Sequence, residues 1–393
     1  MIDIKNKNDC CGCEACCNIC PVKCIHMKSD NEGFLYPYVD SELCINCKLC
    51  EKVCPMINYV PHGRNDGQEA YIMQHEDDEI CRQSTAGGAF SGIATYVIEK
   101  GGIVFGVEMT ENFKVKHTAV ETVEDLKKFR NSKYVQSRIG LVFRQVEKEL
   151  SVGRLVCFSG TPCQVEGLRH YLRKDYENLI LVDVVCRAVP SPGIWGKYIN
   201  FEQEQKGNLS SIRFRDKAVG YQYSTMVLKT KDGREYRRGI ESQPWLRLFF
   251  SGLIIRESCT TCKFRSRYRN SDFTIWDCFP SYRYDKKFDL NRGTTRMLVH
   301  SQKGKQIFLE IKENYRFKQI EPEEAVKDVS EMLVSPKLNL KRTEFMDCLN
   351  KMGIDVALDK YVGVTFKVNL EYYIRRILNF LKIDSILKRI IKR

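Results

Sequence analysis

Residues 10–21 read CCGCEACCNICP and residues 44–55 read CINCKLCEKVCP. Cysteine keeps one rhythm in both. Cys10, Cys13, Cys16 and Cys20 precede Pro21; Cys44, Cys47, Cys50 and Cys54 precede Pro55. The spacing C-x2-C-x2-C-x3-C-P ligates iron–sulfur cubanes in bacterial two-cluster ferredoxins, where the fourth cysteine of each run reaches the other cluster. That rule assigns Cys10, Cys13, Cys16 and Cys54 to one 4Fe–4S cluster. It assigns Cys44, Cys47, Cys50 and Cys20 to a second. Zinc and disulfides are the alternatives, but zinc usually takes two separated C-x2-C pairs and disulfide frameworks belong to secreted chains. Cys11, Cys17 and Cys24 lie off the rhythm and are expected to pack beside the clusters.

Composition agrees with a soluble globular chain. Its 393 residues are 43% hydrophobic and 29% charged, enough for one large domain plus a small one, or for two or three. No apolar run approaches the roughly 20 residues of a membrane span. Met1–Asn8 alternates polar and apolar residues instead of forming a charged-then-apolar leader, so a cytoplasmic location is expected. Of 19 cysteines, 11 fall in the first 54 residues, which implies a reducing compartment and, for exposed clusters, an anaerobic one. The net charge of +13 is spread along the chain, and no nucleic-acid partner is expected.

The expected fold class is α/β (α+β overall). A small dicluster ferredoxin-like domain, 1–60, contains a hairpin of Ile25–Met27 and Phe34–Tyr36 around a turn at Gly33. A Gly/Pro-rich linker follows at 61–68. A larger mixed α/β domain with a parallel sheet core is expected over 69–355. Strands are predicted at Ala70–Met73, Ile103–Val107, Arg154–Phe158 and Leu179–Val185, with helices at Ala89–Glu99 and Val165–Arg173. The β-turn-α-β run from Arg154 to Val185 predicts adjacent parallel strands. Strands at Ser211–Phe214, Tyr223–Lys229 and Glu235–Gly239, and helices at Pro244–Ser251 and Gln306–Tyr315, complete this domain. A basic amphipathic tail occupies 356–393.

Cys163 and Cys186 each follow a predicted parallel strand, and so face the sheet edge where ligands bind in open α/β folds. Cys259 and Cys262 form a separate C-x2-C pair that lacks two ligands. Cys163 and Cys186 are the natural complement, with Cys157 and Cys278 as alternates, and the set reads as a third 4Fe–4S cluster. Structural zinc or buried free thiols on the same residues stay open. Ser84, Thr85, Ala86, Gly87 and Gly88 before a helix look like a phosphate cradle, although a tight turn reads the same way. Arg256–Arg269 reads as a solvated basic face or an anchor for an acidic group. In the tail, Leu370, Tyr373, Ile374, Ile377, Leu378 and Leu381 share one helical face. Asp384 is expected to cap a second helix bearing Ile386, Leu387, Ile390 and Ile391. Membrane-surface contact, partner binding and packing on the chain's own domain are the three readings.

Several strings together resemble the beta subunit of coenzyme F420 hydrogenase/dehydrogenase, an iron–sulfur flavoprotein family. They are Ser84–Gly88, Ser132-Lys133-Tyr134-Val135-Gln136-Ser137, Ser159-Gly160-Thr161-Pro162-Cys163-Gln164, Pro190-Ser191-Pro192, Phe214-Arg215-Asp216-Lys217 and the pair Cys259/Cys262. The resemblance covers about residues 70–285. It implies FAD, held by Ser84–Gly88 and by Lys133, Tyr134, Gln136 and Ser137, with Arg187, Asp216 and Lys217 as further flavin or substrate contacts. It also implies a cluster on Cys163, Cys186, Cys259 and Cys262. Electrons would pass between a redox protein partner (a ferredoxin or a hydrogenase-type subunit), the clusters, FAD and a small two-electron substrate such as the deazaflavin. Similar bacterial proteins accompany surface-polysaccharide gene sets. Where the family has Cys-His-Gly this chain has Cys186-Arg187-Ala188, and where it has Gly-Asp-Phe-Trp-Gly this chain has Trp276-Asp277-Cys278-Phe279-Pro280. Fewer glycines narrow backbone approach to a ligand. The competing readings are a relay subunit without catalysis and a zinc-stabilised nucleic-acid binder.

Overall fold

The computed structural model describes residues 1–288 and 291–381. The amino-terminal segment holds α1 (Ala15–Ile19), an antiparallel hairpin of β1 (Ile25–Ser29) and β2 (Leu35–Val39), and α2 (Leu49–Lys52). The turn between the strands is built as the sequence predicts, with Gly33 at φ 82°.

After the linker, β3 (Glu69–His75) leads through α3 (Asp78–Gln83) and α4 (Ala89–Glu99) to the antiparallel pair β4 (Ile103–Met109) and β5 (Val115–Val120). Then α5 (Val142–Ser151), β6 (Val156–Gly160), α6 (Pro162–Leu172) and β7 (Leu179–Val184) follow, and β6 and β7 are adjacent and parallel. Beyond α7 (Pro192–Lys206), a separate antiparallel sheet is made of β8 (Leu209–Asp216), β9 (Thr225–Thr230) and β10 (Glu235–Gly239). After α8 (Pro244–Ser251) the chain returns to the main sheet with β11 (Phe273–Asp277), β12 (Thr295–Val299), α9 (Gln302–Ile311) and β13 (Tyr315–Ile320). The remaining helices are α10 (Pro322–Val326), α11 (Ser330–Leu333), α12 (Arg342–Met352), α13 (Ile354–Val362) and α14 (Phe366–Phe380).

The main sheet runs β13-β3-β12-β11-β7-β6-β4-β5, and its centre, β11-β7-β6-β4, is parallel. This is the mixed α/β class with a parallel core. The helix expected over Gln306–Tyr315 begins earlier, because the Ser301 side chain caps it through the Gly304 N–H, and Tyr315 instead opens a strand paired with β3. The tail boundary at 355/356 falls inside α13, whose Ala357, Leu358 and Val362 are buried. Asp384, Ile386, Leu387, Ile390 and Ile391 lie outside the described residues.

One hydrophobic core joins the cysteine-rich segment to the sheet. Cys11, Cys13, Cys20, Cys50 and Cys54 pack with Phe143 of α5, Phe158 of β6 and Leu168 of α6. Each fully buried phenylalanine there contributes about 1.5–3 kcal/mol relative to exposure. Polar contacts set the register. The buried Glu14 carboxylate accepts the N–H groups of Ile139 (3.0 Å) and Gly140 (3.2 Å), and Arg144 donates to the carbonyls of Asn18 and Cys20. At the far end Arg342 pairs with Glu32. Backbones touch where side chains are missing: the Gly193 N–H donates to the Gly33 carbonyl at 3.2 Å.

A Cβ on Gly193 would lie 2.5 Å from the Gly33 Cα, whereas one on Gly196 meets nothing within 4 Å. Gly193→Ala is expected to lower unfolding free energy by about 1–3 kcal/mol in chemical denaturation. Gly196→Ala, an alanine placed in the same helix, is expected to be neutral or stabilising.

Candidate metal centres

Both cysteine loops bend by the same device. The second residue after the leading cysteine (Gly12, φ 74°; Asn46, φ 53°) and the fourth (Glu14, φ 59°; Lys48, φ 59°) are left-handed. Alternating left-handed residues turn successive N–H groups inward, the concavity that wraps anions and iron–sulfur cores.

The loops gather their cysteines crosswise. Cys13 neighbours Cys16 and Cys54, and Cys16 neighbours Cys10 and Cys54. Burial, then the charges of Cys10, Cys17 and Cys54, push the Cys16 thiol well up. Cys20, Cys44, Cys47 and Cys50 line a single cavity, with Val22, Ile25, Val39, Ile45 and Leu49 as its apolar wall. The Ile2 N–H donates to the Cys50 sulfur at 3.3 Å. Thiols gathered as neighbours in this way suit a metal core, which would keep them ionised. Cys17 donates to the Ile25 carbonyl at 2.8 Å and Cys24 sits 3.5 Å from the Cys20 sulfur, packing positions beside these sets.

The third set also converges. Cys163 opens α6 beyond the end of β6, and Cys186 lies just past β7. Cys259 and Cys262 arrive on the loop before β11. The buried Cys186 thiol has Cys259, Cys163 and Cys262 as its charged neighbours; burial comes first in raising it, and burial pushes Cys259 up to about 12. The alternates lie elsewhere: Cys157 is enclosed within β6, and Cys278 takes a hydrogen bond from Arg296 Nε at 3.4 Å. Among the described residues no group of three or more His, Cys, Asp or Glu closes on a single metal ion.

Two further residues join the sets: Cys11, expected only to pack beside them, and Arg256, read as part of a basic run. The Cys11 thiol touches both Cys13 and Cys163, and its hydrogen bonds to them head the influences on its raised pKa. Arg256 is fully buried and donates to the Cys10 carbonyl (2.8 Å), the Leu35 carbonyl (3.0 Å), Gln136 Oε1 (3.1 Å) and the Cys10 sulfur (3.4 Å). Its guanidinium lies over the Tyr36 ring, 4.2 Å from the centroid. The run Arg256–Arg269 is therefore not a solvated basic face. Arg265 donates to the Arg187 carbonyl, and Arg269 is paired with the buried Asp183 at 2.8 Å.

The residues expected around FAD separate into three places. Gln136 donates to the Cys11 carbonyl at 3.0 Å, and Ser137 accepts from Gln164 at 3.0 Å, so both belong to the junction of the thiol sets. Ser84–Gly88 forms a closed turn: Thr85 bonds Ser132, and the Gly87 N–H donates to Thr295 Oγ1 at 2.8 Å. Lys217 Nζ donates to the carbonyls of Cys81, Ala86 and Arg292, and burial lowers its pKa to about 8. Lys133 Nζ donates to the carbonyls of Lys128 and Arg130 at 2.9 Å, and burial lowers its pKa to about 7. Asp216 pairs with Arg213. Donors expected to meet a diphosphate are engaged within the chain, so these residues as arranged do not fit that group.

Tyr134 and Arg187 occupy the third place. Tyr134 stacks on Phe249 at 5.0 Å, and Arg187 lies over Phe250 and donates to its carbonyl. Beside them is a pair that the sequence pattern does not single out, the buried Arg215 and Asp277 at 3.0 Å, with the hydroxyls of Tyr134 and Tyr221 as further partners. The string Phe214-Arg215-Asp216-Lys217 pointed to this place, but its inward residue is Arg215 rather than Asp216 or Lys217.

Residues 153–325 match the family described as the carboxyl-terminal part of the beta subunit of coenzyme F420 hydrogenase/dehydrogenase, and residues 9–58 match the 4Fe–4S dicluster domain. A 7Fe ferredoxin of Hydrogenibacillus schlegelii is 35% identical over 68 residues, 16% of this chain and 76% of the relative. An uncharacterized ferredoxin of Methanocaldococcus jannaschii is 38% identical over 52 residues, 13% of this chain and 66% of its own length. A chain from the F420-reducing NiFe hydrogenase complex of Methanosarcina barkeri aligns over 76% of this chain and 92% of its own, at 17% identity and a TM-score of 0.45. Residues 153–325 thus belong to the coenzyme F420 hydrogenase/dehydrogenase beta-subunit family, joined to a 4Fe–4S dicluster domain at residues 9–58.

Proposed function

We propose that this chain conducts electrons along three thiolate-bound centres, entering at Cys44, Cys47, Cys50 and Cys20, continuing at Cys10, Cys13, Cys16 and Cys54, and ending at Cys163, Cys186, Cys259 and Cys262. The observation that carries this reading is Cys11, whose thiol contacts one cysteine of the second centre and one of the third. A bound 4Fe–4S cluster supplies reversible one-electron transfer. The protein's own part is spacing, dryness and charge. Cys47 is the one exposed thiol among the eleven of the amino-terminal segment, and Leu43, Ile45 and Val22 around it are exposed. That rim suits a redox protein partner. The inner sets are roofed by α5 and α6, and Arg256 holds a positive charge against Cys10.

A second reading adds a two-electron end, an oxidoreductase acting on a soluble acceptor. Its support is the family, whose description names coenzyme F420. The internal bonding of Lys217, Lys133 and Gly87 counts against the diphosphate site first expected. Flavin content and turnover with F420 or a generic acceptor separate an oxidoreductase from a relay.

Anaerobic purification is expected to yield about twelve irons with matching sulfide, four per cubane, and Cys259→Ser with Cys262→Ser is expected to remove about four. Eight irons in both preparations would leave only the dicluster. A folded, sulfide-free protein would end the proposal.

Arg256→Met is expected to lower the midpoint potential of one cluster. A hydrogen bond from a charged group is worth about 1.5–3 kcal/mol, and about 1.4 kcal/mol corresponds to 59 mV for one electron. The shift is therefore roughly 60–120 mV, negative in sign because the lost cation had favoured the reduced form. Redox titration followed by electron paramagnetic resonance reads it, and Arg256→Lys should fall between.

A further inference from the structure

Among the described residues, helix α14 is anchored to the rest of the chain along one side. The Tyr372 ring is 2% exposed, packs with Val219 and Tyr223, and donates its hydroxyl hydrogen to the Arg237 carbonyl at 2.7 Å. Arg238 bonds Asn369 Oδ1 at 3.0 Å. Away from this anchor, Phe366 is 83% exposed, Leu370 48%, Tyr373 52%, Ile374 46%, Ile377 59% and Leu381 53%. At helical spacing these six project within an arc of about 100°, the width of an apolar stripe that normally faces a core. Here it faces outward.

Charge selects what covers it. From Lys367 to Arg393 the sequence has eight Lys/Arg against two acids, Glu371 and Asp384. A second copy of this helix would bring like charge against like charge. An anionic surface would complement it. Among the described residues no helix is long and apolar enough to cross a membrane. An aliphatic and aromatic stripe with a basic excess is the composition of a helix lying in the plane of a lipid interface.

We propose that α14 seats this protein on an anionic lipid surface, with Phe366, Leu370, Tyr373, Ile374, Ile377 and Leu381 entering the acyl boundary and the basic excess of the sequence from Lys367 onward supplying the charge that attracts it. Tyr372 and Asn369 hold the helix against the three-stranded sheet. The inference is independent of where electrons go.

Flotation of the full-length holoprotein with vesicles tests it, using phosphatidylcholine alone and phosphatidylcholine mixed equally with phosphatidylglycerol. Binding is expected to the anionic vesicles, to fall in high salt, and to drop by about tenfold or more in the double variant Ile374→Glu, Ile377→Glu. Iron content and circular dichroism of that variant should be unchanged, since both side chains are exposed. Leu309→Glu, exposed on α9, should bind as the native chain does. Equal binding by native and double-variant protein would overturn the proposal. So would absence from anionic vesicles, or a dimer in light scattering that the double variant converts to monomer.

Discussion

Buried sulfur sets the terms for this molecule. A thiol inside an apolar core resists ionisation, and neighbouring thiolates resist it further, as the raised Cys16 and Cys186 show. Four such groups stay together either as neutral thiols or as thiolates around a cation, and backbone N–H groups turned toward the sulfurs, as at Cys13 and Cys16, favour the thiolates. The same dryness that makes bare thiols reluctant would strengthen each hydrogen bond to a bound core.

That requirement explains why the amino-terminal segment is welded to the sheet rather than tethered. A segment of about 60 residues buries a smaller share of its surface than a larger domain does, and this one shares its interior with the sheet domain. Here α5 and α6 complete its interior, and Gly167 allows Cys13 to lie against α6, since a Cβ there would stand 2.7 Å from the Cys13 Cβ. The seam also fixes one thiol set relative to another. Glu14, raised by burial and restrained by Arg138 and two backbone N–H groups, holds the first loop to the residues just before α5.

Local rhythm was legible in the sequence, and long-range partnership was not. The cysteine repeat marked the two loops, because three- and four-residue spacing acts within one loop, and the structure places Cys54 beside Cys13 and Cys16 and Cys20 in one cavity with Cys44, Cys47 and Cys50. The bounds of α4, α8 and β10 were readable from Gly, Pro and alternation. By contrast β12 is buried on both faces yet begins Thr-Arg, and β13 carries lysine and glutamine, so neither shows the pattern of a strand. Ser84–Gly88 looked like a vacant cradle because its occupants, Thr295 and Lys217, stand more than a hundred residues away. Arg256 looked solvated for the same reason: its acceptors are on Cys10, Leu35 and Gln136.

The carboxyl edge of the parallel strands then carries two kinds of chemistry side by side. Cys163 and Cys186 leave β6 and β7 there, and Asp277 ends the parallel neighbour β11. Between them runs a continuous path of contacts: Arg187 follows Cys186 and lies on Phe250, Phe250 packs against Tyr134, and Tyr134 accepts a hydrogen bond from Arg215, which pairs with Asp277. Of the departures from the resembling family, Arg187 lies on this path, and Phe279 packs beside it on Tyr221 and under Arg215. Arg187, Phe250 and Tyr134 thus link the third thiol set to the buried Arg215, while Lys217 is engaged with the Ser84–Gly88 turn through the Ala86 carbonyl.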